Sequence, residues 1–139
     1  MNNYKFDEIF VGLEESFNVH ISPEKMEQFF KITEDNNPLH INAEYAKSKG
    51  FSDRLVYGML TASFFSSLVG VHLPGKNCIL QGIDILFSNP IYINDKLIIT
   101  GKVTYINQAF KQLEIKATII NQVNIKVSKA NIKVGVLDE

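Results

Sequence analysis

The sequence predicts an α+β domain, an antiparallel sheet wrapped around one buried helix, and three observations predict it. Segment 58–72, GMLTASFFSSLVGVH, carries apolar or small residues on nearly every side and no Asp, Glu, Lys or Arg. A helix without a charged face is buried all round, so the rest of the chain is expected to enclose it. The stretches 79–87, 96–105, 113–121 and 125–136 that follow are rich in Ile and Val and largely alternate apolar with polar residues, the period of strands with one buried face. Helices come first and a run of strands second, the order of the α+β class.

Taken in order, 16–21 is a candidate first strand. Ser22-Pro23-Glu24 starts a helix: Ser22 can cap, Pro23 suits the first helical position and Glu24 favours the positive end of the dipole. Met26, Phe29 and Phe30 give that helix an apolar face. It is expected to stop near Asn37, because Pro38 disfavours a helical residue before it. A second short helix is expected from an Asn42 cap to Lys49, closed by Gly50. Asn94-Asp95, Asn107-Gln108 and Asn121-Gln122 are turn signals between long strands, and such short connections imply antiparallel hairpins. No repeat, low-complexity tract or linker divides the chain, which reads as a single domain, 1–139.

A chain of 139 residues can bury a core without a disulfide or metal staple. Its net charge is −1, with Lys and Arg scattered singly. Nucleic acid needs a concentrated basic face, so it is not an expected partner, although a few basic residues can still gather around a cofactor's phosphates. The lone Cys78 excludes an internal disulfide and a cysteine-rich metal site. His20 and His72 have no acidic or cysteine neighbours at ligand spacing and read as structural, so no metal is expected. The start MNNYKFDEIF lacks a basic region followed by an apolar core. No apolar run approaches the ~20 residues that span a bilayer. The expectation is a cytoplasmic protein with no membrane partner.

Chemistry concentrates in Thr33-Glu34-Asp35-Asn36-Asn37-Pro38-Leu39-His40, which links the two expected helices. A loop of fixed shape can converge Asp35 and His40 on one water. Histidine titrates near neutrality and a carboxylate accepts hydrogen bonds, so the pair could hold a water, take its proton and deliver another to carbon. The same residues also fit a helix-end turn beside a half-exposed surface histidine, and composition and spacing alone favour that plainer reading. Downstream, Val56-Tyr57-Gly58-Met59-Leu60 opens the apolar helix. Gly58 there either presents its N–H to a thioester carbonyl as an oxyanion donor or simply permits the turn into the helix. Ser63, Ser66 and Ser67 lie on this helix, where such hydroxyls commonly bond the carbonyl one turn back.

The run from Phe30 through Asp35-Asn36-Asn37-Pro38-Leu39-His40 to Val56-Tyr57-Gly58-Met59-Leu60 resembles the MaoC-like (R)-specific enoyl-CoA hydratases of the hot-dog superfamily. The resemblance continues through Ala62-Ser63-Phe64-Phe65-Ser66, Leu73-Pro74-Gly75-Lys76 and Phe87-Ser88-Asn89-Pro90-Ile91-Tyr92-Ile93-Asn94-Asp95. It implies a hot-dog fold, usually dimeric, and a pair, Asp35 and His40, that activates the water added to a trans-2-enoyl thioester. It also implies that Gly58 N–H binds the carbonyl oxygen, that Ser66 orients the Asp35 carboxylate and that Asn37 supports the loop. Leu60, Phe64, Phe65 and Leu80 are candidate pocket walls, and Lys76 a candidate phosphate contact. No cofactor is implied beyond the CoA or carrier protein that forms part of the substrate. Tyr57 departs from the histidine of many members, and Glu34 stands where many have glycine.

The leading expectation is therefore reversible, (R)-specific hydration of trans-2-enoyl-CoA to 3-hydroxyacyl-CoA by a homodimer. The alternative is a pathway-specific dehydratase acting on a carrier-bound or specialised acyl thioester. A non-catalytic acyl-thioester binder or a thioesterase shares the fold and ranks behind both. Acyl length, physiological direction and pathway are not encoded in these motifs.

Overall fold

A computed structural model describes residues 1–137; the end of the expected 1–139 domain, 138 and 139, lies outside the described residues. Ser22 caps as its sequence demands. Its side chain accepts from Lys25 N–H and Pro23 takes the first turn of α1 (Pro23–Thr33). The helix ends well before Asn37, a correction with a local cause: Glu34 adopts a left-handed backbone (φ 56°) and returns its N–H to the Phe30 carbonyl. That conformation suits glycine, the residue that the family resemblance leads one to expect at this position.

Asn37 then caps a one-turn helix, α2 (Pro38–Ile41), which no pattern in the sequence announces. Pro38, which blocks a helix before it, supplies the pre-set φ that starts the next. Asn42 caps α3 (Ala43–Ser48) by accepting from Tyr45 N–H, and Gly50 follows with φ 93°, both as expected. The apolar helix α4 (Gly58–Ser67) runs on into a π-helical turn, Leu68–His72.

The strands are β1 (Glu14–His20), β2 (Cys78–Phe87), β3 (Lys96–Asn107), β4 (Gln112–Ile120) and β5 (Lys126–Val136). They form one antiparallel sheet in the order β1-β3-β4-β5-β2. The hairpins β3–β4 and β4–β5 are those the turn signals predict, and the Asn121 side chain accepts from Val123 and Ile125 N–H to shape the second. The expectation fails at Asn94-Asp95. β2 pairs with β5, not β3, because the segment between them is held elsewhere: Val56 N–H donates to Ile91, and Ile21 and Asn94–Asp95 exchange backbone bonds. The chain thus crosses the end of the sheet instead of folding back.

One face of the sheet packs on α4, giving an α+β core in which Phe65 and Leu68 meet Ile99, Ile115 and Ile132. Gly101 of β3 marks the closest approach, since a Cβ there would sit 2.7 Å from a Leu68 methyl. The helix is not buried all round. Leu60, Thr61, Ala62 and Phe65 are enclosed, whereas Met59, Ser63 and Ser66 face out, because a single sheet covers a single side. No helix among the described residues is long and apolar enough to cross a membrane. Gly101→Val should destabilise the fold by about 1–3 kcal/mol through overpacking on Leu68, read as a lower urea midpoint at unchanged slope.

Candidate active site

The loop after α1 is shaped by its own short side chains. Asp35 N–H donates to Thr33 Oγ1 (3.2 Å), Asn37 N–H to Asp35 Oδ1 (3.1 Å) and Leu39 N–H to Asn37 Oδ1 (3.0 Å). These are the turn bonds that Asn and Asp make readily. They hold one Asp35 oxygen and leave the second toward solvent, with Asp35 itself exposed. α2 then carries His40, half-buried, back against the strand-like segment that precedes α4. Leu55 N–H donates to the Leu39 carbonyl, and His40 Nδ1 lies 2.8 Å from the Leu55 carbonyl oxygen. A carbonyl can only accept, so Nδ1 carries a proton here, and the ring turns Nε2 away from this contact.

Tyr57 joins these parts. It stands in the N-cap position of α4, yet its side chain caps nothing there. Its hydroxyl donates instead to the main-chain carbonyl of Asp35 (2.8 Å). Its ring lies 4.2 Å from the His40 ring and 5.1 Å from that of Phe29, centroid to centroid. Only 2% of its surface is exposed. Gly58, the first residue of α4, has no acceptor for its N–H within the helix. Phe87 of β2 covers it so closely that a Cβ would meet that ring at 3.2 Å.

His40 and Gly58 line one cavity of about 340 Å³ with Phe51, Leu55, Phe87, Pro90 and Ile91 among its walls. His40 also lines a second, of about 320 Å³, on the α1 side with Phe30, Arg54 and Tyr57. Asp35 lines neither, but its main-chain carbonyl is bonded to Tyr57, which lines the second. The arrangement can present an imidazole nitrogen and a helix-end N–H to one small apolar space.

A sequence profile of the MaoC like domain matches residues 11–125. The chain belongs to the MaoC-like family. Among its curated relatives, a mitochondrial 3-hydroxyacyl-acyl-carrier-protein dehydratase of Solanum lycopersicum is 42% identical over 58% of this chain and 47% of the relative. An (R)-specific enoyl-CoA hydratase of Aeromonas caviae is 38% identical over 58% of this chain and 60% of the relative. The matched region thus spans only about half to three-fifths of those two proteins. In fold, the MaoC-like chain superposes on the unliganded R-hydratase PhaJ1 of Pseudomonas aeruginosa with a TM-score of 0.91, at 24% identity, over 99% of this chain and 88% of that one. The architecture is the hot-dog fold.

The remaining residues singled out in the sequence of this MaoC-like chain fall elsewhere. Leu60 and Phe65 are core residues, Phe64 is half-buried against that core, and Leu80 is exposed on the outer strand β2; none of the four lines the cavity shared by His40 and Gly58. Ser66 faces out from α4, and within the single chain no hydrogen bond joins it to Asp35 among the described residues. Lys76 follows the π turn, at the opposite end of the helix from Gly58. Of the serines, Ser63 bonds back to the Leu60 carbonyl, as expected of such hydroxyls. His20 meets Asn94 and His72 stacks on Phe17, both structural partners. Phe87, Leu55 and Phe51 were missed, since an apolar wall and a main-chain acceptor carry no local signature; the glycine of Gly58 was the one hint that a ring packs there.

Burial holds the Tyr57 phenol above its ordinary ionisation range, and the nearby Asp35 charge raises it further against the opposing pull of Arg54. A raised folded value means that the unfolded chain ionises first as pH climbs. The stabilisation is therefore intact below about pH 10, the ordinary tyrosine value, and is lost above it. Urea midpoints at pH 9 and pH 11 should fall less for Tyr57→Phe than for the parent protein.

Proposed function

We propose that this chain catalyses reversible, (R)-specific hydration of a trans-2-enoyl thioester to the 3-hydroxyacyl thioester, with CoA as the carrier. The observation that carries the reading is His40: its Nδ1 is fixed on the Leu55 carbonyl, and its ring lines the cavity that also holds the open N-terminus of α4 at Gly58. With the thioester carbonyl oxygen on Gly58 N–H, charge that develops there as an enolate meets a backbone donor and the positive end of the helix. Asp35 and His40 hold the attacking water between them. Its oxygen bonds to C3, its proton passes to the pair, and a proton from the pair reaches C2. Water adds without net oxidation or reduction, so the chemistry requires no cofactor; CoA enters as part of the substrate. Asn37 supports the loop by capping α2.

Ser66 and Lys76 retain the parts the family resemblance gives them, orienting the Asp35 carboxylate and meeting a substrate phosphate. Within one chain neither contact is made, so a bound substrate or a second copy would have to complete them. Leu60, Phe64, Phe65 and Leu80 likewise stand as pocket walls only on the resemblance. A homodimer fits the outer strand β2, whose exposed side chains include Ile79, Leu80, Ile83, Leu86 and Phe87. An apolar edge of this kind invites pairing with another edge.

The second reading, dehydration of a carrier-protein-bound 3-hydroxyacyl group, is favoured by the naming of the Solanum relative as an acyl-carrier-protein dehydratase. Both readings place the protein in the cytoplasm or another aqueous compartment.

With crotonyl-CoA and longer enoyl-CoAs, the protein should bleach the enoyl absorbance. No change with any of them would defeat the proposal. Asp35→Asn and His40→Ala should each lower kcat/KM by several powers of ten, with circular dichroism and elution volume unchanged. Matched carrier-bound substrates turned over far faster than CoA esters would favour the second reading.

A further inference from the structure

We propose that Tyr57 is a positioning residue, the part that sets Asp35, His40 and the Gly58 N–H in register with one another. The inference deepens the hydratase reading and rests on it.

Leu55 already ties the His40 helix to the segment before α4, and Tyr57 brings the Asp35 main chain into the same arrangement. Asp35 sits on an exposed loop whose internal bonds shape the loop but do not anchor it to the core. His40 sits on a helix of one turn, too short to hold itself in water. Gly58 begins α4, which is seated in the core through Leu60, Phe65 and Leu68. Tyr57 belongs to the last of these pieces and touches the other two. Its hydroxyl holds the main-chain carbonyl of Asp35 at 2.8 Å, its ring stacks beside the imidazole at 4.2 Å, and its own peptide carbon is bonded to Gly58 nitrogen.

The ring cannot drift, because Phe29 of α1 backs it and almost none of its surface reaches solvent. The hydroxyl points away from the start of α4 and makes no cap bond there, so it does not occupy Gly58 N–H. The reach of the hydroxyl matches the place of the Asp35 carbonyl, and the two form a fitted pair.

The test uses the whole 139-residue chain and separates placement from packing. Tyr57→Phe keeps the ring and loses only the hydroxyl. Expected is a fall in kcat of roughly ten- to a hundredfold, the scale of a small misplacement of catalytic groups, with KM little changed and the melting temperature close to that of the parent. In an Asp35→Asn background the same substitution should add no further loss, because it acts through Asp35. The Asp35 carbonyl carbon should also shift in the NMR spectrum of Tyr57→Phe, since its hydrogen bond is gone. The chain has three histidines, so the His40 ring signals can be assigned by substitution; they should move in Tyr57→Leu, where the neighbouring ring current is lost.

Parent-like kcat in Tyr57→Phe, or full additivity with Asp35→Asn, would overturn the inference. An unmoved Asp35 carbonyl signal would do so whatever the assay reads. If the parent turns over no enoyl thioester while both NMR signals respond, the contacts of Tyr57 stand, and it is the hydratase reading, and with it the catalytic role of this residue, that falls.

Discussion

The apolar face of the sheet stays dry because α4 lies across it, and nearly everything else in the molecule is arranged around that seat. Phe65 and Leu68 are the pivots, each with almost no surface in water. The bareness of Gly101 lets Leu68 press into β3. Fixing α4 in this way fixes the position of its first residue, Gly58, which lines one cavity with His40. Both crossing segments that pass the head of the helix, the one before α4 and the one between β2 and β3, are stitched to each other there, through Leu55 with Tyr92 and Val56 with Ile91. The core and the site are therefore one mechanical object: anything that tilts α4 also moves Gly58 relative to His40.

Much of this was legible in the chain, for a physical reason. Caps and turns are local, so Ser22, Asn42, Gly50 and Asn121 act as their residue types predict. Strands with one buried face advertise themselves by alternation, and the four late strands do so. What could not be read depends on distant groups. The place of β2 beside β5 is decided by where the 88–95 segment is tied, which is a matter of contacts far apart in sequence. The exposed side of α4 looks in sequence like a buried one, because Met59, Ser63 and Ser66 are apolar or small, whatever covers them. The early end of α1 turns on a left-handed Glu34, a choice that a glycine would have signalled and a glutamate conceals.

The site divides in the same way. Asp35, His40 and Gly58 stand in motifs specific enough to single out, and the structure brings His40 and Gly58 to one cavity. The partners that aim them do not stand out. The Leu55 carbonyl that holds the imidazole Nδ1 is a backbone atom, present at every residue, and only the fold decides that this one is used. Tyr57 stands out in the sequence only against the family pattern it resembles, and the reach of its hydroxyl to the Asp35 carbonyl becomes apparent only when α1, α2 and α4 are placed together.

The π-helical turn at Leu68–His72 has a consequence for how such a chain can vary. A turn of this kind accommodates one residue more than an α-helical turn, and such bulges occur often near functional sites. One residue corresponds to about 100° of helix rotation. A lineage that gained or lost a residue here could swing the Leu73–Lys76 connection round the helix axis while the head of α4, upstream of the change, stayed where it is. Such a change would have to release the far end, where Leu73, Pro74 and Gly75 are buried and Asn2 exchanges backbone bonds with Val71 and Lys76, but it would leave the end that carries Gly58 in place.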